Sequence, residues 1–178
     1  MSLKVWGTRP EETALTFGGD AIVPGREAYY RAVDVRAPAP VAFRRMCQLR
    51  VAPYSYDWID NRGRRSPRAL TPGVDELATG QCWMTIFTLV AFEPGRELTF
   101  RITERGGRAL FGDIVVTYRL LELGPRHCRL VAKLHIPRPR GPLEAVTRPL
   151  LCAGDLVMMR RQLLNLASLA QSDDQREV

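Results

Sequence analysis

The stretch DIVVTYRLLELGPRHCRLVAKLHI, residues 113–136, decides the fold. Ile114, Val116, Tyr118 and Leu120 recur at every second position of Asp113–Glu122, which places them on one face of a β-strand. Gly124-Pro125 turns the chain, and Cys128, Leu130, Ala132, Leu134 and Ile136 line one face of a second strand. Upstream, Glu97–Glu104 sets Leu98, Phe100 and Ile102 against Thr99, Arg101 and Thr103, and Gly106-Gly107 predicts the turn that follows. Cys82–Phe92 is a further β-prone run, stopped by Pro94-Gly95. A meander with one apolar face needs a cover. The cover is C-terminal: Leu143 to Ala170 reads as one long helix. Its apolar side is expected to hold Val146, Leu150, Val157 and Leu164 with Leu151, Met158, Leu163 and Leu166. Pro149 lacks an N–H and predicts a kink or a division there.

Toward the N-terminus, Tyr29 to Arg36 reads as a strand ended by Ala37-Pro38-Ala39-Pro40. Val41, Ala42, Met46 and Leu49 then mark a short amphipathic helix over Val41 to Leu49. Pro53 opens a second short helix, Tyr54 to Asp60, with Asn61-Arg62-Gly63 as its stop. A long connection with Pro67, Pro72 and Gly73 leads to Gly80. Ahead of all this, Thr8 caps a helix start through Glu11 and Glu12, and Gly18-Gly19-Asp20 signals a turn. The expected organisation is α+β: an N-terminal leader (1–27) packed on the main body, a single domain (28–171), and a polar, frayed tail (172–178).

Composition narrows the function classes. The 178 residues are 46% hydrophobic and 25% charged, which suits one globular domain with its own core. No apolar run reaches the ~20 residues of a membrane-spanning helix. Met1-Ser2-Leu3-Lys4 opens no apolar secretory segment, so a cytoplasmic protein is expected. Cys47, Cys82, Cys128 and Cys152 are widely spaced and form no C-x-x-C pair, so neither a disulfide framework nor a metal site is expected. The net charge is +7, and only Lys4 and Lys133 among the 26 basic residues are lysines. The densest cluster, Arg62, Arg64, Arg65 and Arg68, falls in a loop-like stretch and reads as solvated, so no nucleic-acid partner is expected. No Ser-His-Asp order, H-E-x-x-H, Walker loop or G-x-G-x-x-G is present, and no cofactor is expected.

Several phrases carry a family resemblance. They are Val5-Trp6-Gly7-Thr8 with Pro10-Glu11-Glu12, Val33-Asp34-Val35-Arg36-Ala37-Pro38-Ala39-Pro40-Val41, Gln48-Leu49, and Tyr54-Ser55-Tyr56-Asp57-Trp58-Ile59-Asp60-Asn61. With the closing Arg161-Gln162-Leu163-Leu164-Asn165-Leu166 they span roughly residues 5 to 171. Together with the element order, they resemble a bacterial branch of the START-like helix-grip superfamily (SRPBCC), which includes polyketide cyclase/dehydrase-type and lipid-binding proteins. The resemblance implies a curved antiparallel sheet wrapped around one long C-terminal helix, with two short helices after the first strand. It further implies a ligand cavity between sheet and helix, with the short helices at its mouth. Relatives often carry a Gly-rich segment after Gln-Leu; here Arg50-Val51-Ala52-Pro53 is shorter and alters the lid.

Candidate ligand-binding residues follow from that cavity. Tyr54 and Trp58, spaced i, i+4, are expected on one helical face beside Tyr56 and Asp57. They either rim a pocket or pack the helix on the sheet. Tyr118 lies in the apolar phase of its strand, so its hydroxyl points inward and needs a partner. Asp155 sits in the apolar middle of the last helix. It either faces the cavity as a general base or lies outward and pairs with Arg160 or Arg161. His127 and His135 fall in the outward phase and read as surface. Three functions remain open. The first is binding of a hydrophobic small molecule such as a lipid or polyketide. The second is a polyketide cyclase/dehydratase-type enzyme using Tyr and carboxylate groups. The third is a regulatory or interaction module with a basic surface. An uncovered edge strand would also permit a homodimer.

Overall fold

The computed structural model describes residues 3–61, 63–139 and 141–176. Met1-Ser2, Arg62 of the expected helix stop and arginine cluster, and the last two residues of the expected tail lie outside the described residues. The strands are β1 (Val5–Trp6), β2 (Glu27–Val35), β3 (Cys82–Trp83), β4 (Phe87–Glu93), β5 (Glu97–Ile102), β6 (Val115–Gly124) and β7 (His127–Ile136). They form one curved, unclosed sheet in the order β1-β2-β7-β6-β5-β4-β3. Only β1 runs parallel to its neighbour; every other pairing is antiparallel. Both edges are two-residue strands, β1 pairing with Tyr30 and Arg31 of β2 and β3 with Phe87 and Thr88 of β4. The register shift between Leu89 and Ala91 marks a β-bulge, a device that bends a strand.

The helices are α1 (Pro10–Thr13), α2 (Gly18–Ile22), α3 (Ala39–Cys47), α4 (Asp57–Asp60), α5 (Arg105–Phe111) and α6 (Pro142–Asp174). A 3-10 turn, Gln48–Arg50, extends α3. The alternating strand phases hold. Leu98, Phe100, Val116, Tyr118, Leu130, Ala132 and Leu134 share one buried cluster with Cys152, Met159, Leu163, Leu166, Ala167 and Ala170 of α6. Trp83, Phe100 and Tyr118 pack in a row along this face, the first pair tilted and the second edge-to-face, with ring centroids 4.9 and 5.8 Å apart.

Several local expectations change. Gly106-Gly107 does not turn a hairpin; it starts α5, because the Glu104 carboxylate accepts from the Gly106 and Gly107 amides at 2.9 and 2.5 Å. Cys82–Phe92 is divided after Trp83 by Met84 and Thr85, which both adopt positive φ. Helix α6 runs unbroken through Pro149, and Val146, Leu150, Val157 and Leu164 face outward rather than toward the sheet. The polar end expected to fray stays helical to Asp174, held by Arg45–Asp173 and Arg126–Asp174 ion pairs.

The second face of the sheet is covered too. The leader helices α1 and α2 lie over it, each with one acid that works twice. Glu12 accepts the Arg9 amide at 2.8 Å and grips the Arg129 guanidinium at 2.6 and 2.8 Å. Asp20 accepts the Phe17 amide at 2.8 Å and meets Lys133 Nζ at 2.6 Å and His135 Nε2 at 2.8 Å. His135 is therefore buried under the leader, not on the surface, whereas His127 pairs with Asp34 at the exposed rim. Gly18-Gly19 opens α2 instead of a turn. A Cβ at Gly19 would stand 2.7 Å from the His135 ring, so only glycine lets α2 come this close.

Candidate functional site

Strand β2 sends Tyr29, Arg31, Val33 and Val35 toward α6. Arg31 is thus a charged residue in an apolar phase, and its side chain is wholly buried. Its guanidinium donates to the Tyr30 and Leu3 carbonyls at 2.9 Å each and to Asp155 Oδ2 of α6 at 3.3 Å. It also lies 5.8 Å from the centre of the Tyr29 ring. Asp155 keeps 29% of its side-chain surface, so the pair sits at the edge of the core. Burial raises the Asp155 carboxyl to about 6 despite the opposing pull of Arg31, and burial likewise lowers Arg31. Desolvation outweighs attraction in both partners.

One turn before Asp155, Cys152 meets Tyr29. Burial, and then the adjoining Cys152 thiol, push the Tyr29 phenol up to about 12. Here the seam between β2 and α6 opens into a pocket of about 360 Å³, lined by Leu3, Lys4, Glu27, Tyr29, Arg148, Pro149 and Cys152. Its floor is apolar and aromatic. Its rim is charged, with Glu27 held by Lys4 Nζ at 2.6 Å and by Arg148. A second pocket, about 290 Å³, lies by Arg44 and the 70–75 segment.

The residues anticipated from sequence are dispersed. Tyr54 precedes α4 at a φ of 56°, so it and Trp58 do not share a helical face. Tyr54 is buried as a staple: its hydroxyl donates to the Pro67 carbonyl at 2.7 Å and accepts from Gln48 at 3.0 Å. Trp58 is 76% exposed. Tyr56 is half-buried just before α4, and the Asp57 carboxylate accepts from Ser66 N and Oγ at 2.9 and 2.5 Å. Tyr118 does point into the sheet–helix seam, where its hydroxyl donates to Gln162 Oε1 at 2.5 Å. Burial raises it far above a normal phenol. None of these six lines either pocket described. Asp155 comes nearest, through Arg31 and Tyr29; it pairs with neither Arg160 nor Arg161.

Tyr29, Arg31 and Cys152 were absent from the sequence-derived set. A usable signal existed for Arg31, the one charge in the alternation Tyr29, Arg31, Val33, Val35. Among the described residues no His/Cys/Asp/Glu group could hold a metal ion, and all four cysteines are free thiols.

No protein-family model matches the chain, and no curated protein matches it in sequence. Solved structures do. A Thermobifida fusca protein aligns over 80% of this chain and 92% of its own, with 14% identity and a TM-score of 0.56. A Mesorhizobium loti protein covers 83% and 99%, with 15% identity and a TM-score of 0.54. The fold is the helix-grip fold. The Zhui aromatase/cyclase of a Streptomyces species also aligns, over 85% of this chain and 94% of its own. Its 16% identity and TM-score of 0.47 are too low to carry chemistry across. In this helix-grip chain the gripped helix is α6, and Arg31–Asp155 is an ion pair across the grip.

Proposed function

We propose that the chain binds a hydrophobic small molecule in the seam between the sheet and α6, entered past the charged rim of Lys4, Glu27 and Arg148 and floored by Tyr29 and Cys152. One observation carries this reading. A pocket with an apolar floor opens directly beside a buried ion pair, in the seam where the two layers meet. At about 360 Å³ it falls at the small end of ligand sites, which argues for a compact ligand. Asp155 and Tyr118 belong to the same seam, Asp155 at its edge and Tyr118 deep within it.

The neutral fluorophore phenylnaphthylamine tests this. Saturable one-to-one binding below about 100 μM is expected, together with loss of at least tenfold in Cys152→Phe, which fills the floor. No saturable binding, or unchanged binding in a folded Cys152→Phe, would overturn the reading.

The enzyme reading draws on one feature, the Asp155 carboxyl at about 6, which suits proton transfer near neutral pH. Its other named groups are engaged elsewhere: Tyr54 with Pro67, Asp57 with Ser66 and Tyr118 with Gln162. Binding is therefore favoured over catalysis.

A further inference from the structure

The loop 57–68 lines neither pocket, and it folds back on α4. The Gly63 amide donates to the Asp57 carbonyl at 2.8 Å and the Arg64 amide to the Asn61 carbonyl at 2.9 Å. Ser66 closes the loop on the Asp57 carboxylate through its amide and hydroxyl. This closure sorts the charges. The two acids of the segment are turned inward, Asp57 onto Ser66 and Asp60 onto Ser55, and burial raises the Asp60 carboxyl. Arg64, Arg65 and Arg68 are exposed instead, and they pair with no acid among the described residues. On the same loop Trp58 and Ile59 leave 76% and 53% of their surfaces in water. Single apolar residues are ordinary on a surface, but an exposed Trp-Ile pair beside unpaired arginines marks an interaction site.

The chemistry selects the partner. An indole settles at the boundary between hydrocarbon and water, isoleucine adds apolar depth, and guanidinium groups meet lipid phosphates. A second copy of the chain fits less well, because a two-fold contact through this loop would set its arginines against their own counterparts. A single-stranded nucleic acid would stack on Trp58 but has no use for Ile59. We propose that the 57–68 loop docks the chain on an anionic lipid surface. Trp58 and Ile59 enter the headgroup layer, while Arg64, Arg65 and Arg68 meet the phosphates. This docking is independent of the pocket in the seam.

Co-sedimentation of the full chain with sucrose-loaded vesicles tests this, using phosphatidylcholine alone and a two-to-one mixture with phosphatidylglycerol. Saturable binding to the mixed vesicles is expected, with binding to phosphatidylcholine weaker by about tenfold or more. Trp83 is fully buried and Trp6 packs against Arg160. A shift of tryptophan emission to shorter wavelength on the mixed vesicles is therefore expected from Trp58, and should vanish in Trp58→Ser. The double variant Arg64→Gln/Arg65→Gln should weaken binding by about tenfold or more. All three side chains are exposed, so the fold tolerates their replacement. No binding to the mixed vesicles, or binding undiminished in both variants, would overturn the proposal. Binding without the emission shift would overturn it too, since the loop would not enter the lipid. Polyuridylate bound in place of vesicles, or a dimer that dissociates in Trp58→Ser, would assign the loop to another partner and equally overturn it.

Discussion

At the scale of single residues, Arg31 and Asp155 set the character of the seam. Each is pushed toward its neutral form by burial, and each is what keeps the other charged. The sign follows from the raised carboxyl. Protonated Asp155 favours the folded state, fully so below its unfolded value near 4. That contribution fades as pH rises through about 6. Removing the cation should move the carboxyl further up. In Arg31→Met, carbon-detected NMR of the Asp155 carboxyl is therefore expected to titrate above its wild-type value of about 6. A midpoint that falls, or stays near 6, would show that Arg31 does not hold this group.

At the scale of elements, the leader illustrates how much depends on two glycines and two acids. Its helices are four and five residues long, too short to persist without docking. Asp20 and Glu12 supply the docking, and their carboxyls are held below the usual range by His135 and Lys133, and by Arg129. Stability from such groups is present above their ordinary value and lost as pH falls through the depressed one. Hydrogen exchange should show it: protection over 17–23 is expected to fall selectively in Gly19→Ala, by about 1–3 kcal/mol, and in wild type below about pH 4. Protection in β6 and β7 should persist. Uniform loss across the sheet would mean that the leader is part of the folding core and not a clasp.

The same elements show what the sequence made legible. Strand phasing named the buried face of β5, β6 and β7 because period-two patterns are unambiguous when one face is apolar. Helix α6 was not readable this way, since apolar residues occur on both its sides. Leu163 and Leu166 are buried, whereas Val146, Leu150, Val157 and Leu164 are exposed. The place of Tyr54 was hidden as well. A positive φ at a tyrosine is set by tertiary contacts, here with Pro67, Gln48 and Asn165, and no local spacing announces it. His135 was placed on the correct face, but the leader over that face was visible only once Asp20 was seen to reach it.

Across the whole molecule, part of the arginine content is structural. Arg26 and Arg101 hold Asp113, Arg45 holds Asp173, and Arg129 holds Glu12 and Asp34. Forks of this kind staple the leader, the long helix and the sheet together, while the net +7 charge is carried by the cations beyond those the acids can match. No helix among the described residues is long and apolar enough to cross a membrane. What remains is a two-sided sheet, clasped behind by the leader and in front by α6, with the Arg31–Asp155 pair in the front seam and a pocket beside it. Amide chemical-shift mapping with phenylnaphthylamine tests that account most directly. Saturable shifts centred on Tyr29, Arg31, Arg148 and Cys152 are expected. Shifts confined to Trp58, Ile59 and the outward residues Val157 and Leu164, or no saturable shifts at all, would contradict it.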